Sequence, residues 1–209
     1  IFLILSIGSI LAIIGSCAKD DDAASTTTSC ATDTTASGSI TVGSETLSGV
    51  YISECNTTQF QAAAGSLMFP SDVKSGKTAV VVTGSTTLTE EMLMYTDTSC
   101  STPSLTYKNV RDNVTVGNAS GSNYQVTYNA DSIMIKPSTT VAETEVEAFA
   151  TNAGQSWALT VDTESTHTDS GALYMNLFLV TSTTITTADS DRSTQPTAVD
   201  SMLMTKTCE

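Results

Sequence analysis

Basic side chains are scarce in this chain. Its 209 residues contain 8 Lys and Arg against 22 Asp and Glu, so the formal net charge is −14 at pH 7. A surface of this sign repels the phosphates of nucleic acids and the anionic headgroups of membranes. We therefore expect no nucleic-acid partner. Histidine occurs once and no Cys-x-x-Cys pair is present, which leaves a zinc-type site without ligands. The sequence predicts no metal and no cofactor.

The chain also lacks a recognisable pairing of a nucleophile with a base. Its single histidine, His167, lies among carboxylates in the stretch from Asp162 to Asp169. A histidine beside carboxylates can serve as a general base or as a weak metal ligand. That stretch has the composition of a loop, however, and neighbours in a loop need not converge. We predict no catalytic residue, and a hydrolase that uses His167 is the least favoured of the functions considered.

The first residues contain no charge and are mostly Ile, Leu, Ala and Gly. The apolar run from Ile1 to Ile14 is too short to span a bilayer comfortably and fits the central part of a signal peptide. It ends in Ile14-Gly15-Ser16-Cys17, which resembles the bacterial lipobox. We expect residues 1–16 to be a signal peptide, truncated at its start, and Cys17 to carry the lipid as the first mature residue. A transmembrane anchor with an incidental cysteine is the alternative.

Lipidation at Cys17 predicts a cell-envelope protein that is attached to the membrane through its N-terminal acyl chains. Ala18 follows the lipidated cysteine, where an aspartate is the usual signal for retention in the inner membrane, so we expect the outer membrane. Residues 17–38 are acidic and rich in Ser and Thr, with nothing that could fill a core. We predict that they form a flexible, disordered tether.

From Ser39 onward, short apolar stretches alternate with turn residues, so residues 39–209 are expected to form a single β domain, either a barrel or a sandwich. Residues 56–70 could hold a short helix or a lid. Ten stretches read as strands: 40–53, 78–84, 86–96, 105–110, 113–118, 123–137, 141–151, 156–163, 172–181 and 201–207.

The chain has five cysteines. If Cys17 is acylated, Cys30, Cys55, Cys100 and Cys208 remain. An even number in an oxidising compartment indicates disulfides. Four cysteines allow three pairings, and their spacing alone does not choose among them.

Three short motifs carry a resemblance to known proteins. The first runs from Tyr95 through Asp97 and Cys100 to Pro103, in the pattern Y-x-D-x-x-C-x-x-P. The others are Gly49-Val50-Tyr51, followed by Cys55, and Leu173-Tyr174, followed after a loop by residues 191–200. Over roughly residues 45–207 the chain resembles bacterial lipocalin-like lipoproteins, and the first motif also resembles the barrel of the adenomatosis polyposis coli down-regulated family. Tyr51 stands where lipocalins usually have tryptophan.

The resemblance implies an antiparallel lipocalin-like barrel of about 8–10 strands with an apolar interior. It also implies a disulfide between Cys55 and Cys100. These two cysteines follow the first and third predicted strands, which agrees with that pairing. Cys30 and Cys208 are then left for each other, and their bond would fasten the tether to the C-terminus.

Methionines are concentrated in the predicted strands, and Met202 and Met204 are among them. Their flexible side chains fill irregular cores or line cavities that accept varied ligands. The predicted ligand-lining residues are Met92, Met94, Met134, Trp157, Tyr174, Met175 and Leu177. We expect a module that binds a hydrophobic small molecule or an envelope partner without catalysis. The alternative is a structural or adhesive lipoprotein with a filled core, and a cavity of at least about 300 Å³ would distinguish the two.

Overall fold

The computed structural model describes residues 32–200 and 202–208. The signal peptide, the lipidation site Cys17 and Cys30 lie outside these residues. The elements in chain order are β1 (Ile40–Val42), β2 (Glu45–Leu47), β3 (Val50–Ser53), α1 (Thr58–Ala63), β4 (Ser75–Val82), β5 (Leu88–Tyr95), β6 (Pro103–Ser120), β7 (Asn123–Pro137), α2 (Thr140–Asn152), β8 (Ser165–Thr168), β9 (Leu173–Val180), β10 (Thr184–Thr187) and β11 (Met204–Cys208).

Eight antiparallel strands close into a barrel. They follow one another in the order β3, β4, β5, β6, β7, β9, β10 and β11, and β11 pairs back onto β3. Strand β7 is long enough to serve two neighbours on the same edge, because it pairs with β9 over residues 124–129 and with β8 over residues 132–135. The expected all-β antiparallel barrel is confirmed.

Strand β5 shows how the sequence builds the wall. Successive side chains of a strand point to opposite faces. Leu88, Met92 and Met94 join the apolar clusters inside the barrel, whereas Leu93 packs beside Ile52 on the outside. One face of β5 therefore fills the interior and the other is covered from outside the barrel.

Each end of the barrel is closed by a different element. The β1–β2 hairpin inserts Ile40, Val42 and Leu47 into one end, where they pack with interior residues of the barrel. At the opposite end, Phe60 of α1 and Val146 of α2 pack with residues at the ends of the strands. The short helix expected within residues 56–70 is confirmed as α1.

Gly43 in the hairpin turn is expected to tolerate no side chain. Its φ is 64°, and a Cβ there would lie 2.1 Å from the hydroxyl oxygen of Tyr124. Gly121 has nearly the same φ, 65°, with no atom within 4 Å of its added Cβ. Gly121→Ala should therefore cost about 1 kcal/mol for backbone strain alone, and Gly43→Ala about 3 kcal/mol for strain plus collision. Urea titration of both variants measures the difference, and equal losses would contradict this packing of the hairpin.

The strand predicted over residues 141–151 is wrong, because these residues form helix α2. Its buried residues Ala142, Val146 and Ala150 recur every four positions, which is the spacing of one helical face. The Thr139 side chain caps the helix by accepting a hydrogen bond from the Ala142 amide at 3.0 Å. Glu143 in the first turn also suits the positive end of the helix dipole.

Three smaller predictions also need correction. The stretches 105–110 and 113–118 belong to one strand, β6, because the register irregularities beside Arg111 and Asp112 bend it without ending it. Residues 156–163 contain only an isolated bridge between Thr160 and Thr163. His167 lies in strand β8 rather than in a loop.

The predicted Cys55–Cys100 disulfide is confirmed, with 5.9 Å between the two Cα atoms. The bond joins the segment after β3 to the turn after β5. Cys208 is also part of a disulfide. Its predicted partner Cys30 lies outside the described residues, so that pairing stays a prediction.

Candidate functional site

A cavity of about 400 Å³ enters the barrel at the end that carries the helices. Its mouth lies between α1, which contributes Gln59, and the loop that joins β10 to β11. Side chains from the barrel wall form the deeper part. The lining residues are Gln59, Thr78, Val80, Glu90, Glu91, Met92, Asn109, Asn176, Thr187, Ala188, Asp189, Ser190, Asp200, Met202 and Met204.

The loop at the mouth is tied to the barrel by backbone and side-chain hydrogen bonds. The Oδ1 atom of Asn176 accepts a hydrogen bond from the Ala188 amide at 3.1 Å. The Gln195 Nε2 atom donates to the carbonyl oxygen of Asn176 at 2.5 Å. The Asp200 amide donates to the Thr187 carbonyl at 2.9 Å. These bonds hold both ends of the loop close to the cavity.

A polar network crosses the barrel beside the cavity. The Arg111 Nε atom donates to Glu90 Oε2 at 3.0 Å, and the Tyr128 hydroxyl donates to Glu90 Oε1 at 3.2 Å. The Asn176 Nδ2 atom donates in turn to the Tyr128 hydroxyl at 3.0 Å. Both oxygens of the Glu90 carboxylate are thereby occupied, as burial of a charge requires.

Arg111 is held from several sides. Its guanidinium carbon lies 5.2 Å from the ring centre of Tyr128 and 5.1 Å from that of Tyr174, within cation–π range. Burial by itself would lower the pKa of Arg111, but the Glu90 carboxylate and the neighbouring tyrosines outweigh it and raise the pKa. Arg111 therefore stays charged inside the barrel and fixes the orientation of Glu90 at the cavity wall.

Tyrosine hydroxyls in this region stay protonated. Burial raises the pKa of Tyr107 to about 12, and its hydroxyl donates to Asn109 Oδ1 at 2.9 Å. Burial, followed by the Glu90 charge, raises the pKa of Tyr128 as well. These hydroxyls therefore act as hydrogen-bond donors that orient Asn109 and Glu90, not as bases.

The mouth of the cavity is acidic. Asp189 and Asp200 both line it, and no Lys, Arg or His is found among the described lining residues. Partial burial, and then the charge of Asp189, raises the pKa of Asp200. Apolar contact surface comes from Val80 and from the thioether side chains of Met92, Met202 and Met204. The wall of the cavity therefore contains both polar and apolar side chains, and its rim is negatively charged.

The residues predicted to line a ligand site do not all converge. Met92 lines the cavity. Met94 packs in the apolar cluster that contains Phe60 of α1. Leu177 follows the cavity residue Asn176 in the sequence and is buried. Tyr174 lies next to Arg111 in the polar network. The Met175 backbone pairs with Asp191 at the base of the mouth loop.

Met134 and Trp157 do not line the cavity. Met134 pairs in register with Lys108, and Trp157 stacks on the His167 ring with 4.6 Å between ring centres. Glu90, Asn109 and Asn176 were missed as lining residues. Glu90 alone gave a signal in the sequence, because it shares a strand face with Leu88 and Met92, where an acidic residue is out of place.

The arrangement around His167 is a weak base site. The Ser165 hydroxyl lies 2.9 Å from His167 Nε2, and partial burial lowers the pKa of the ring. Among the described residues no carboxylate forms an ion pair with the ring, and the pair lies on β8 outside the cavity. Nothing in this geometry orients the imidazole or receives an oxyanion.

Within residues 32–200 and 202–208, no three His, Cys, Asp or Glu side chains converge as a metal site. The helices in this part of the chain are too short or too polar to cross a membrane. No protein-family model matches the chain, and no curated protein is significantly similar to it.

Proposed function

We propose that this protein is a lipid-anchored envelope protein whose barrel binds a small amphipathic molecule without catalysis. The observation that carries the proposal is the cavity that enters the barrel between α1 and the β10–β11 loop. Its volume of about 400 Å³ falls within the range typical of small-molecule sites. A barrel with a completely filled core, the structural or adhesive alternative, would have no such space.

The lining favours a molecule with two kinds of surface. Val80 and the three methionines offer apolar contact, and methionine adapts to ligands of varied shape. Asn109, Asn176 and Glu90 offer oriented hydrogen-bonding groups beside them. Their protein partners leave lone pairs open for further hydrogen bonds, and a plain acyl chain would use none of these. The hydrophobic ligand expected from the sequence is therefore refined to one that also carries a hydrogen-bonding group.

Binding is tested first by native mass spectrometry of the protein purified from its own cells, and then by calorimetry with alkyl amines, alcohols and sulfates of equal chain length. Met92→Trp should fill the cavity and weaken binding at least about tenfold, since it removes the space the ligand needs. Met134→Trp, the same change on the outer face, should bind as the wild type does. Equal affinities for the two variants, or no bound molecule at all, would favour the structural alternative.

Anchoring through Cys17 is part of the proposal. In cells that express the full precursor, Cys17→Ser should accumulate as unprocessed protein and take up no labelled palmitate, because the thioether cannot form. The wild type should be labelled and should fractionate with the outer membrane, as Ala18 suggests. Mature protein that is free in the medium and carries no lipid would contradict anchoring, while leaving the cavity proposal intact.

A further inference from the structure

Residues 33–38, here called the strap, lie across the outer face of the barrel. At one end, the Lys136 ammonium of β7 donates to the Asp33 carboxylate at 3.3 Å. At the other end, the Ser37 amide donates to the Val82 carbonyl at 2.8 Å and the Ser37 hydroxyl donates to the Thr83 carbonyl at 2.7 Å. The strap thus runs from β7 to the end of β4, and these are the last residues of the predicted tether.

Two charged side chains are buried on the face that the strap crosses. Glu91 of β5 is 0 % exposed and Lys108 of β6 is 4 % exposed, and the two are direct partners in the register of these strands. Both side chains belong to the outer face, because side chains alternate along a strand and Met92, next to Glu91, packs in an interior cluster. Charged residues on the outside of a barrel are normally in water, so their burial here requires a cover.

Glu91 is poorly compensated for a buried carboxylate. Within the described part of the chain, neither of its oxygens has a hydrogen-bond partner of good geometry. Lys108 is its nearest cation, but the Lys108 ammonium is bound at 2.7 Å to Glu164. A buried carboxylate without full compensation is stabilised by taking up a proton.

The charges around Glu91 also favour its protonated form. The groups that face it are Asp33 on the strap, Lys108 on β6 and Glu164 before β8, and Asp33 is paired with Lys136 on β7. These four carry two negative and two positive charges. The cluster is therefore neutral while Glu91 is protonated and carries one uncompensated negative charge once Glu91 ionises.

We propose that the strap is a pH-sensitive latch, which is closed over the barrel while Glu91 holds a proton and released when Glu91 loses it. Release would let water reach the carboxylate and would expose the outer surface of Leu93, which borders the same groove as Asp33. The latch is distinct from the ligand proposal, because the Glu91 carboxylate interacts with Asp33, Thr34 and Lys108 on the outer side of the wall, although Glu91 also borders the cavity.

The direction of the pH dependence follows from burial. Burial raises the pKa of Glu91, and this outweighs the opposing influence of the Thr34 hydroxyl on the strap and the Lys108 charge. A carboxyl with a raised pKa in the closed state favours closure below its ordinary pKa of 4.5. That contribution is lost as the pH rises through the raised value. The strap should therefore be most firmly closed in acid and should loosen toward neutral and alkaline pH.

Hydrogen exchange at the Ser37 amide, corrected for the intrinsic effect of pH, measures the latch in the whole protein. In the wild type the opening equilibrium should increase at least about twofold between pH 5 and pH 8. Glu91→Gln should keep the amide protected at the acid level throughout, because the neutral amide does not titrate. Glu54→Gln removes an exposed carboxylate after β3 and should behave as the wild type does.

Two results would overturn the proposal. One is a wild-type opening equilibrium that does not change with pH, and the other is a Glu91→Gln variant that keeps the wild-type dependence. If Glu91→Gln does not fold, Glu91→Leu provides the same test, since it also lacks the titrating group and suits the neighbouring apolar face. Fluorescence of Trp157, which lies away from the strap, checks that the barrel stays folded across the pH range.

Discussion

Replacing Arg111 with methionine is expected to lower the free energy of unfolding by about 3–5 kcal/mol at neutral pH. The guanidinium is almost fully buried and is the cation nearest to Glu90, at 3.0 Å. Methionine approximates the length of the side chain but leaves the Glu90 carboxylate inside the barrel without its counter-charge. It also removes the cation that lies beside the stacked rings of Tyr128 and Tyr174. Urea unfolding followed by circular dichroism measures the loss.

Two controls separate charge from packing in this prediction. The double variant Glu90→Gln/Arg111→Met has no unpaired carboxylate at position 90, so most of the lost free energy of unfolding should be recovered. Lys136→Met breaks an ion pair with Asp33 whose side chains are 32 % and 64 % exposed. Such a pair contributes about 0–1 kcal/mol, and its loss should be correspondingly small. If the double variant is as unstable as Arg111→Met, packing rather than charge explains the effect.

Removing the Cys55–Cys100 disulfide should lower the free energy of unfolding by about 4 kcal/mol. The bond joins cysteines that are 45 positions apart, so it restricts a long loop of the unfolded chain. Cys55→Ser/Cys100→Ser removes this restriction while keeping side chains of similar size. Denaturant unfolding of this variant, compared with the oxidised wild type, gives the difference.

A second pair of substitutions checks the cause. Cys55→Ala/Cys100→Ala should lose the same stability as the serine variant, because the effect arises from the unfolded chain and not from contacts of the sulfur atoms. A loss below about 1 kcal/mol in both variants would show that the unfolded chain is already restricted in this region. A loss in the serine variant alone would indicate that a buried hydroxyl, not the missing bond, destabilises the protein.

The predicted strand over residues 141–151 shows where local pattern was insufficient. In the stretch VAETEVEAFAT the glutamates at 143, 145 and 147 alternate with less polar residues, as in a strand, whereas Ala142, Val146 and Ala150 are spaced as on one face of a helix. Short segments with both periodicities are ambiguous. The Thr139 cap and the apolar cluster at the end of the barrel decide the outcome, because only a helix presents those three side chains to that cluster.

The candidate site was predictable only in part, for a similar reason. Met92 was identified because methionine in a strand indicates adaptable apolar space. The contact of Glu90 with Arg111 depends on the pairing of β5 with β6, in which Leu88 lies opposite Arg111. The mouth depends on the β10–β11 loop, whose residues have no periodicity. Pairing and loop placement are set by contacts between distant parts of the chain, which one segment does not reveal.

From the sequence alone, the all-β class of the domain followed from the spacing of short apolar stretches and turn residues. The Cys55–Cys100 bond followed from a resemblance carried by short motifs. Both rest on local information, because alternation and turn residues act over a few positions. Closure of eight strands, the cavity beside the Glu90–Arg111 pair and the burial of Glu91 beneath the strap were decided by the tertiary structure alone. Each requires contacts between residues that are far apart in the chain. The free energy of these contacts comes from burial and charge compensation, which a local pattern does not encode.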